Sequence, residues 1–277
     1  MKTLYLSDLD GTLLNSAARL SDNSAEMLNS LIEAGMLFSV ATARTAATVL
    51  DIFSGVKLNV PLILMNGVVL FDFKNNKNLI CHSIEKESAD EIIRIYEDHG
   101  KSPMLYFQKD NYLQIEYKDL TNAHQMNYVN QRHALNKKKF VYRDKLQVSD
   151  SDNMIYIVTL DYPEQIDNIY REITAADKVT CTYYRDNYTD CYFLECMNKK
   201  ASKASAAEEL KKLLGVDRIV AFGDNLNDIP LFEIADEAYA VSGACDELKK
   251  IADGVIGSND DDAVARFLIE RLECNNL

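Results

Sequence analysis

The chain lacks most of what would point to a membrane, a nucleic acid or a secreted scaffold. No stretch among its 277 residues approaches the ~20 apolar residues of a membrane-spanning helix, so no membrane partner is expected. Basic residues are scarce: 30 Lys and Arg stand against 43 Asp and Glu, a formal net charge of −13. Binding to a phosphate backbone releases counterions only where basic side chains replace them, so no nucleic-acid partner is expected. Lys137-Lys138-Lys139 is the one basic run and reads as a solvated loop. The six cysteines include no C-x-x-C pair and read as small buried hydrophobes in a reducing compartment. The start shows no basic-then-apolar leader, so a cytoplasmic location is expected. The four histidines (82, 99, 124 and 133) show no metal-ligand spacing. There is no repeat, low-complexity tract or Pro/Gly-rich linker. With 47% hydrophobic residues, what remains is a globular chain of one large or two modest domains, expected to be a monomer.

Against that background one segment stands out. Asp8-Leu9-Asp10-Gly11-Thr12-Leu13 follows the apolar run Leu4-Tyr5-Leu6. Asp is depleted in strands, and a lone carboxylate is costly to bury. In extended chain, spacing i, i+2 puts both carboxylates on one side, where they repel unless a positive charge lies between or beside them. A hard divalent cation such as Mg2+ fits, since it takes few carboxylates and completes its shell with water and phosphate.

Three further segments share that position at a strand end or a following helix start. Ala41-Thr42-Ala43-Arg44 follows the apolar run 36–40, and Ser202-Lys203 opens an amphipathic helix reaching Leu214. Gly223-Asp224-Asn225-Leu226-Asn227-Asp228 follows the buried strand 218–222. Ligands of open parallel sheets collect beyond the carboxyl ends of the strands. An attacking carboxylate, a metal and fixed donors for phosphate oxygens are what phosphoryl transfer through a carboxylate requires.

These motifs, in this order, resemble the haloacid dehalogenase superfamily, and within it the Cof-type sugar-phosphate phosphatases with a large inserted cap. The resemblance covers nearly the whole chain and continues through Met65-Asn66-Gly67 and the tail at 247–264. It implies a Rossmann-like doubly wound parallel sheet core (1–83 and 197–277) with an inserted α+β cap domain (84–196). It also implies magnesium-dependent hydrolysis of a small phosphorylated substrate. By resemblance Asp8 is the nucleophile, and Asp10 is the acid and base that also offers its backbone carbonyl to the metal. Asp224 is the other side-chain metal ligand beside Asp8, and Asp228 an outer carboxylate that orients a metal water or Lys203. Thr42 and the amide of Ala43 would hold phosphate oxygens at the start of the second helix, with Lys203 neutralising charge and Asn227 reaching substrate or phosphate. The family usually shows Gly at Ala43, Ala204 and Ala263 and Met at Pro230; none of these departures removes a reactive group. Two other readings fit the scaffold: a phosphomutase, which would keep Asp8, and a non-catalytic binding protein, which would be expected to lose one of the paired Asp.

The chain's texture carries the same division. Residues 1–80 and 198–277 alternate strand and helix. Helices are signalled by a cap at 21–24 and near Thr45, and Asn66-Gly67 reads as a turn between two apolar runs. Residues 84–195 hold half-polar strands at 104–107, 112–115, 155–160 and 191–194, with helical stretches at 86–99, 119–131 and 163–175. This predicts an antiparallel sheet with helices on one face. Tyr184-Arg185-Asp186-Asn187-Tyr188 reads as a hairpin tip, and it or the loop after Phe107 is expected to meet the leaving group.

Overall fold

The apolar run at the start forms β1 (Thr3–Ser7) in a computed structural model that describes residues 1–109, 112–134, 138–149, 152–186 and 189–275. Leu4 and Leu6 have no exposed surface. Ser21 then caps α1 (Asp22–Glu33), its hydroxyl accepting from Ser24 N at 2.9 Å, as the Ser-x-x-Ser pattern allows. Leu28, Leu31 and Ile32 form the helix's buried face. β2 (Leu37–Val40), α2 (Ala46–Ile52), β3 (Leu62–Leu64), β4 (Val69–Asp72) and β5 (Lys77–Cys81) complete the first segment.

Two compact units follow from the contacts: Met1–Ile80 with Ser202–Leu277, and Cys81–Ala201. The junctions expected at 83/84 and 196/197 fall inside the second unit, because its last strand continues to Asn198.

The second unit carries α3 (Lys86–Asp98), β6 (Met104–Lys109), β7 (Tyr112–Tyr117), α4 (Ala123–Ala134), β8 (Lys138–Tyr142), β9 (Met154–Asp161), α5 (Pro163–Ala176), β10 (Val179–Arg185) and β11 (Tyr192–Asn198). Its sheet runs β10-β11-β9-β6-β7-β8. Leu105, Phe107, Ile157, Leu194 and Cys196 pack with Ile92 and Tyr96 of α3 and Ile166 and Ile169 of α5.

Three expectations are corrected here. The sheet is mixed, because β8 pairs with β7 in parallel. Helices cover both faces: Tyr106 and Phe193 alternate with the α3–α5 set along their strands and meet Tyr128 of α4. Lys138 and Lys139 do not sit in a loop but open β8, and Lys138 is half-buried. The concentration of charge there masked a strand whose alternate residues Lys138 and Phe140 are both half-buried. Of the expected hairpin tip, Asn187 and Tyr188 lie outside the described residues, as does Lys137 of the basic run.

The last segment returns to the first unit with α6 (Lys203–Leu214), β12 (Arg218–Gly223), α7 (Ile229–Ile234), β13 (Glu237–Ala240), α8 (Asp246–Ile251), β14 (Gly254–Val255) and α9 (Ala263–Asn275). The order β14-β13-β12-β1-β2 is parallel throughout. β1 is flanked by the strand that follows it and by β12, which arrives more than 200 residues later. At that reversal of strand order an open sheet leaves a crevice beyond its carboxyl ends. β2 and β12 are buried along almost their whole length, the mark of a sheet covered on both faces.

Glu237 ties this sheet to its last helix. Its carboxylate takes a paired hydrogen bond from Arg271 of α9 at 2.5 and 2.6 Å and another from Arg218 of β12 at 2.8 Å. The Arg271 hydrogen bonds chiefly hold its pKa down at about 2. A depressed carboxylate contributes stability above its unfolded pKa, ~4.3, and loses it as pH falls towards 2. Glu237→Gln should therefore cost about 1 kcal/mol in urea unfolding at pH 7. The gap to wild type should close as pH falls from 5 towards 2, and a gap independent of pH would show that packing alone is lost.

Candidate active site

β1 and β12 end side by side, with Ser7 opposite Phe222 and the amide of Asp8 donating to Phe222 O at 2.9 Å. That pairing delivers Asp8 to the mouth of the sheet with only 6% of its surface exposed. Lys203 is the first residue of α6, fixed by the reciprocal Ser202–Ser205 cap. Its buried ammonium donates to Asp8 Oδ1 at 2.7 Å and to Asp228 Oδ1 at 2.6 Å. Asp228 closes the short turn that precedes α7. Its other oxygen accepts from the amides of Asp224 and Asn225 at 3.0 and 3.1 Å. Asp224 Oδ1 accepts from the Thr12 hydroxyl at 2.9 Å. Gly11 passes so close that a Cβ there would lie 2.5 Å from Asp224 Oδ2, at a φ of +79°. Only glycine fits both constraints.

Oxygens of Asp8, Asp224 and Asp228 lie within 4.8 Å of one another. Three carboxylates against one ammonium leave a formal charge of −2 in a largely buried space. Burial pushes Asp8 up to about 7, opposed by Lys203 and assisted by Asp228. Asp224 is raised too, first by burial and then against the Thr12 hydrogen bond. For Lys203 burial works downward, yet the two carboxylates prevail and its pKa rises. The group therefore holds its lysine proton firmly and its carboxylate charges reluctantly, and an added cation would relieve it. An all-oxygen donor set suits a hard divalent ion.

Asp10 is elsewhere. The chain turns at Leu9, whose carbonyl accepts from Leu14 N at 2.9 Å, so the paired Asp do not share the side an extended strand would give them. Asp8 takes Lys203, while the half-exposed Asp10 takes Arg44 through Nε at 2.8 Å and Nη2 at 2.6 Å. Each carboxylate thus has its own cation. Thr42 is buried, and its hydroxyl oxygen accepts from Arg44 N at 3.1 Å, which leaves the hydroxyl proton to donate. No acceptor among the described residues takes the Ala43 amide. The expected helix start is corrected: α2 begins at Ala46 behind a Thr45 cap, so Thr42 and Ala43 lie in the loop before it. Asn227 is exposed and makes no side-chain hydrogen bond to another described residue.

Residue-by-residue reasoning gave no role to Arg44 or Thr12, although both stand inside the motifs. The turn Met65-Asn66-Gly67 is also more than a hairpin connection. Asn66 N donates to Thr42 O at 2.9 Å and Met65 N to Arg44 O at 3.1 Å, with positive φ at all three residues. Gly67 meets the start of α6 so closely that a Cβ would lie 2.0 Å from Ser202 O. The turn therefore braces the Thr42 loop against the helix that carries Lys203. No sequence signal links 42, 66 and 203, since the contacts are backbone to backbone.

Comparison with known proteins extends this picture. A family model for haloacid dehalogenase-like hydrolases matches residues 5–268. The pyridoxal phosphate phosphatase YbhA of Escherichia coli is 24% identical over 268 residues, 96% of this chain and 97% of its own length. The 5-amino-6-(5-phospho-D-ribitylamino)uracil phosphatase YwtE of Bacillus subtilis is 25% identical over 287 residues, with 96% of each chain covered. A haloacid dehalogenase-like hydrolase of known structure from Bacteroides thetaiotaomicron superimposes with a TM-score of 0.78 at 21% identity, covering 98% of this chain and all of that one.

Lys203→Met should leave Asp8 and Asp228 facing each other unpaired and destabilise the fold by about 3–5 kcal/mol, read as a lower urea midpoint at unchanged slope. A loss under 1 kcal/mol would mean the carboxylates find water instead. Gly67→Ala should cost more than about 2 kcal/mol. If it unfolds like wild type, the close approach to Ser202 is relieved without cost.

Proposed function

The chain belongs to the haloacid dehalogenase-like hydrolases, a family of enzymes, and on that premise we propose that it hydrolyses a small phosphorylated metabolite with Mg2+ through an aspartyl phosphate on Asp8. The observation that carries this reading is the buried Asp8 carboxylate held by Lys203, beside two further carboxylates, at the open end of β1. An Asp8 oxygen attacks phosphorus, the ester oxygen leaves as an alcohol, and water later cleaves the acyl phosphate to restore Asp8 and release phosphate. Lys203 favours the ionised, nucleophilic form of Asp8 and so opposes the larger effect of burial. The Thr42 hydroxyl and the Ala43 amide supply neutral donors for phosphate oxygens, and Asn227 reaches the substrate.

Asp10 protonates the leaving oxygen and then deprotonates the attacking water. Arg44 orients its carboxylate through two hydrogen bonds. Asp8 and Asp224 with the Asp10 carbonyl hold the ion, and Asp228 anchors the surroundings through Lys203 and the 224–225 amides. When bound, Mg2+ offsets the phosphoryl charge and the excess −2 of the carboxylates.

The named substrates of the two curated relatives, pyridoxal phosphate and a ribitylaminouracil phosphate, join sugar phosphates on the panel to be tried here. Release of phosphate with Mg2+ from at least one of them supports the reading. Transfer of the phosphoryl group to an added sugar, with little free phosphate, would identify a phosphomutase. No turnover of any ester, 4-nitrophenyl phosphate included, would leave a binding protein.

Asp8→Asn should lower kcat at least about a thousandfold on every substrate while melting as a folded protein; a milder loss rules out attack by Asp8. Chelation should silence the enzyme and Mg2+ restore it. Ca2+, which takes more ligands at longer distance, should restore little, and equal rates with Ca2+ would reduce the metal's part to charge neutralisation.

A further inference from the structure

Two cations lie on one face of the second unit's sheet with no ion pair to another described residue. Lys138 opens β8 and points to the ring of Tyr106, its Nζ 5.6 Å from the centroid. Arg132 of α4 lies over the ring of Tyr128, Cζ at 3.7 Å. Among the described residues neither side chain forms an ion pair or a hydrogen bond. A carboxylate that acts on Lys138, Glu195 of β11, is half-buried and already bonded to Thr182 at 3.4 Å and to Tyr184. The cluster is therefore net positive in a chain whose formal charge is −13. Burial, and then Arg132, push Lys138 down to about 8, so the fold gains nothing by keeping that charge there.

Rings adjoin the cations without a break. Tyr128 meets Phe193 at 5.7 Å, and Tyr184 stacks on Phe193 at 5.5 Å with planes 27° apart. Tyr184 is 45% exposed, so the row ends at a ring that a further planar group can join. α3 and α5 cover the opposite face of the sheet. A half-buried pair of cations that shares a single carboxylate, next to an open aromatic row, is complementary to one kind of molecule.

We propose that this face of the second unit binds a planar nitrogen-heterocyclic anion, its carboxylate or phosphate between Arg132 and Lys138, its ring against Tyr184 and a ring N–H donating to Glu195. The site does not depend on the reaction at Asp8, and its test needs no turnover.

Orotate is the probe: a planar pyrimidine with two ring N–H groups and a carboxylate, but no phosphate for the Asp8 centre to hold. Calorimetric titration of the full-length wild-type protein should show saturable binding at one site per chain. Uracil, which lacks the carboxylate, and cyclohexanecarboxylate, which lacks the plane, should each bind at least tenfold more weakly. Lys138→Met and Arg132→Met should each weaken orotate about tenfold or more, with Lys138→Arg recovering most of the loss. Tyr184→Ala, a substitution at an exposed position, should weaken it several-fold whatever the folding of the other variants. Asp8→Asn should bind orotate as wild type does. Absence of saturable binding, equal binding of cyclohexanecarboxylate, or loss of binding in Asp8→Asn would each overturn the proposal.

Discussion

The first unit depends on one ammonium group. Lys203 bridges Asp8 and Asp228 at 2.7 and 2.6 Å, with all three residues buried. Those residues come from the end of β1, the start of α6 and the turn after β12, so one side chain joins three segments far apart in sequence. Such a group is demanding: removing either charge leaves the other buried and unpaired, at several times the cost of an exposed pair. The surrounding structure supplies what the arrangement needs. Ser202 and Ser205 fix the helix start, two backbone amides satisfy the second oxygen of Asp228, and Thr12 fixes Asp224.

The same arrangement stays short of neutral. Three carboxylates and one lysine leave an excess that burial makes worse, and Asp8 is the group whose pKa records it, at about 7. Protein interiors seldom tolerate such an excess without a use for it. Stability and chemistry are opposed at this site: the charge that would make Asp8 a nucleophile is the charge the fold holds least willingly. A bound divalent ion would serve both ends, lowering the repulsion and leaving Asp8 ionised.

Backbone geometry decides which carboxylate does what. The turn at Leu9 sends Asp8 inward and Asp10 outward, and gives them different cations, Lys203 and Arg44. Arg44 in turn is held by Met65 N and Thr42 Oγ1, and the Met65-Asn66-Gly67 turn touches the helix of Lys203. The loop of Thr42 and Ala43, the Asp10 carboxylate and the lysine are thus parts of one braced frame. The strained, positive-φ residues at 65–67 are where that frame is tightest.

The sequence by itself determined the parallel core and its crevice. Buried apolar runs ending in Asp8, Thr42 and Asp224 can only be the strands of a covered sheet, and helix signals such as Ser21 and Ser202-Lys203 are local, carried within one turn. The identities of Asp8, Asp224, Asp228 and Lys203 were legible for the same reason: each stands at a strand end or helix start that its neighbours announce. Tertiary structure alone decided the rest. Parity along an extended strand could not foresee that Asp8 and Asp10 part company, because the turn at Leu9 is closed by a backbone bond to Leu14. Arg44, Thr12 and Gly67 gain their roles from partners 34, 212 and 135 residues away in the chain. In the second unit, β8 was hidden by its lysines and the second helical face by Tyr106 and Tyr128, which read as ordinary strand and helix residues until their hydroxyls meet at 2.7 Å. Local pattern records what a residue's own element requires. Which charge faces which is set by packing between elements, and no spacing in the chain encodes it.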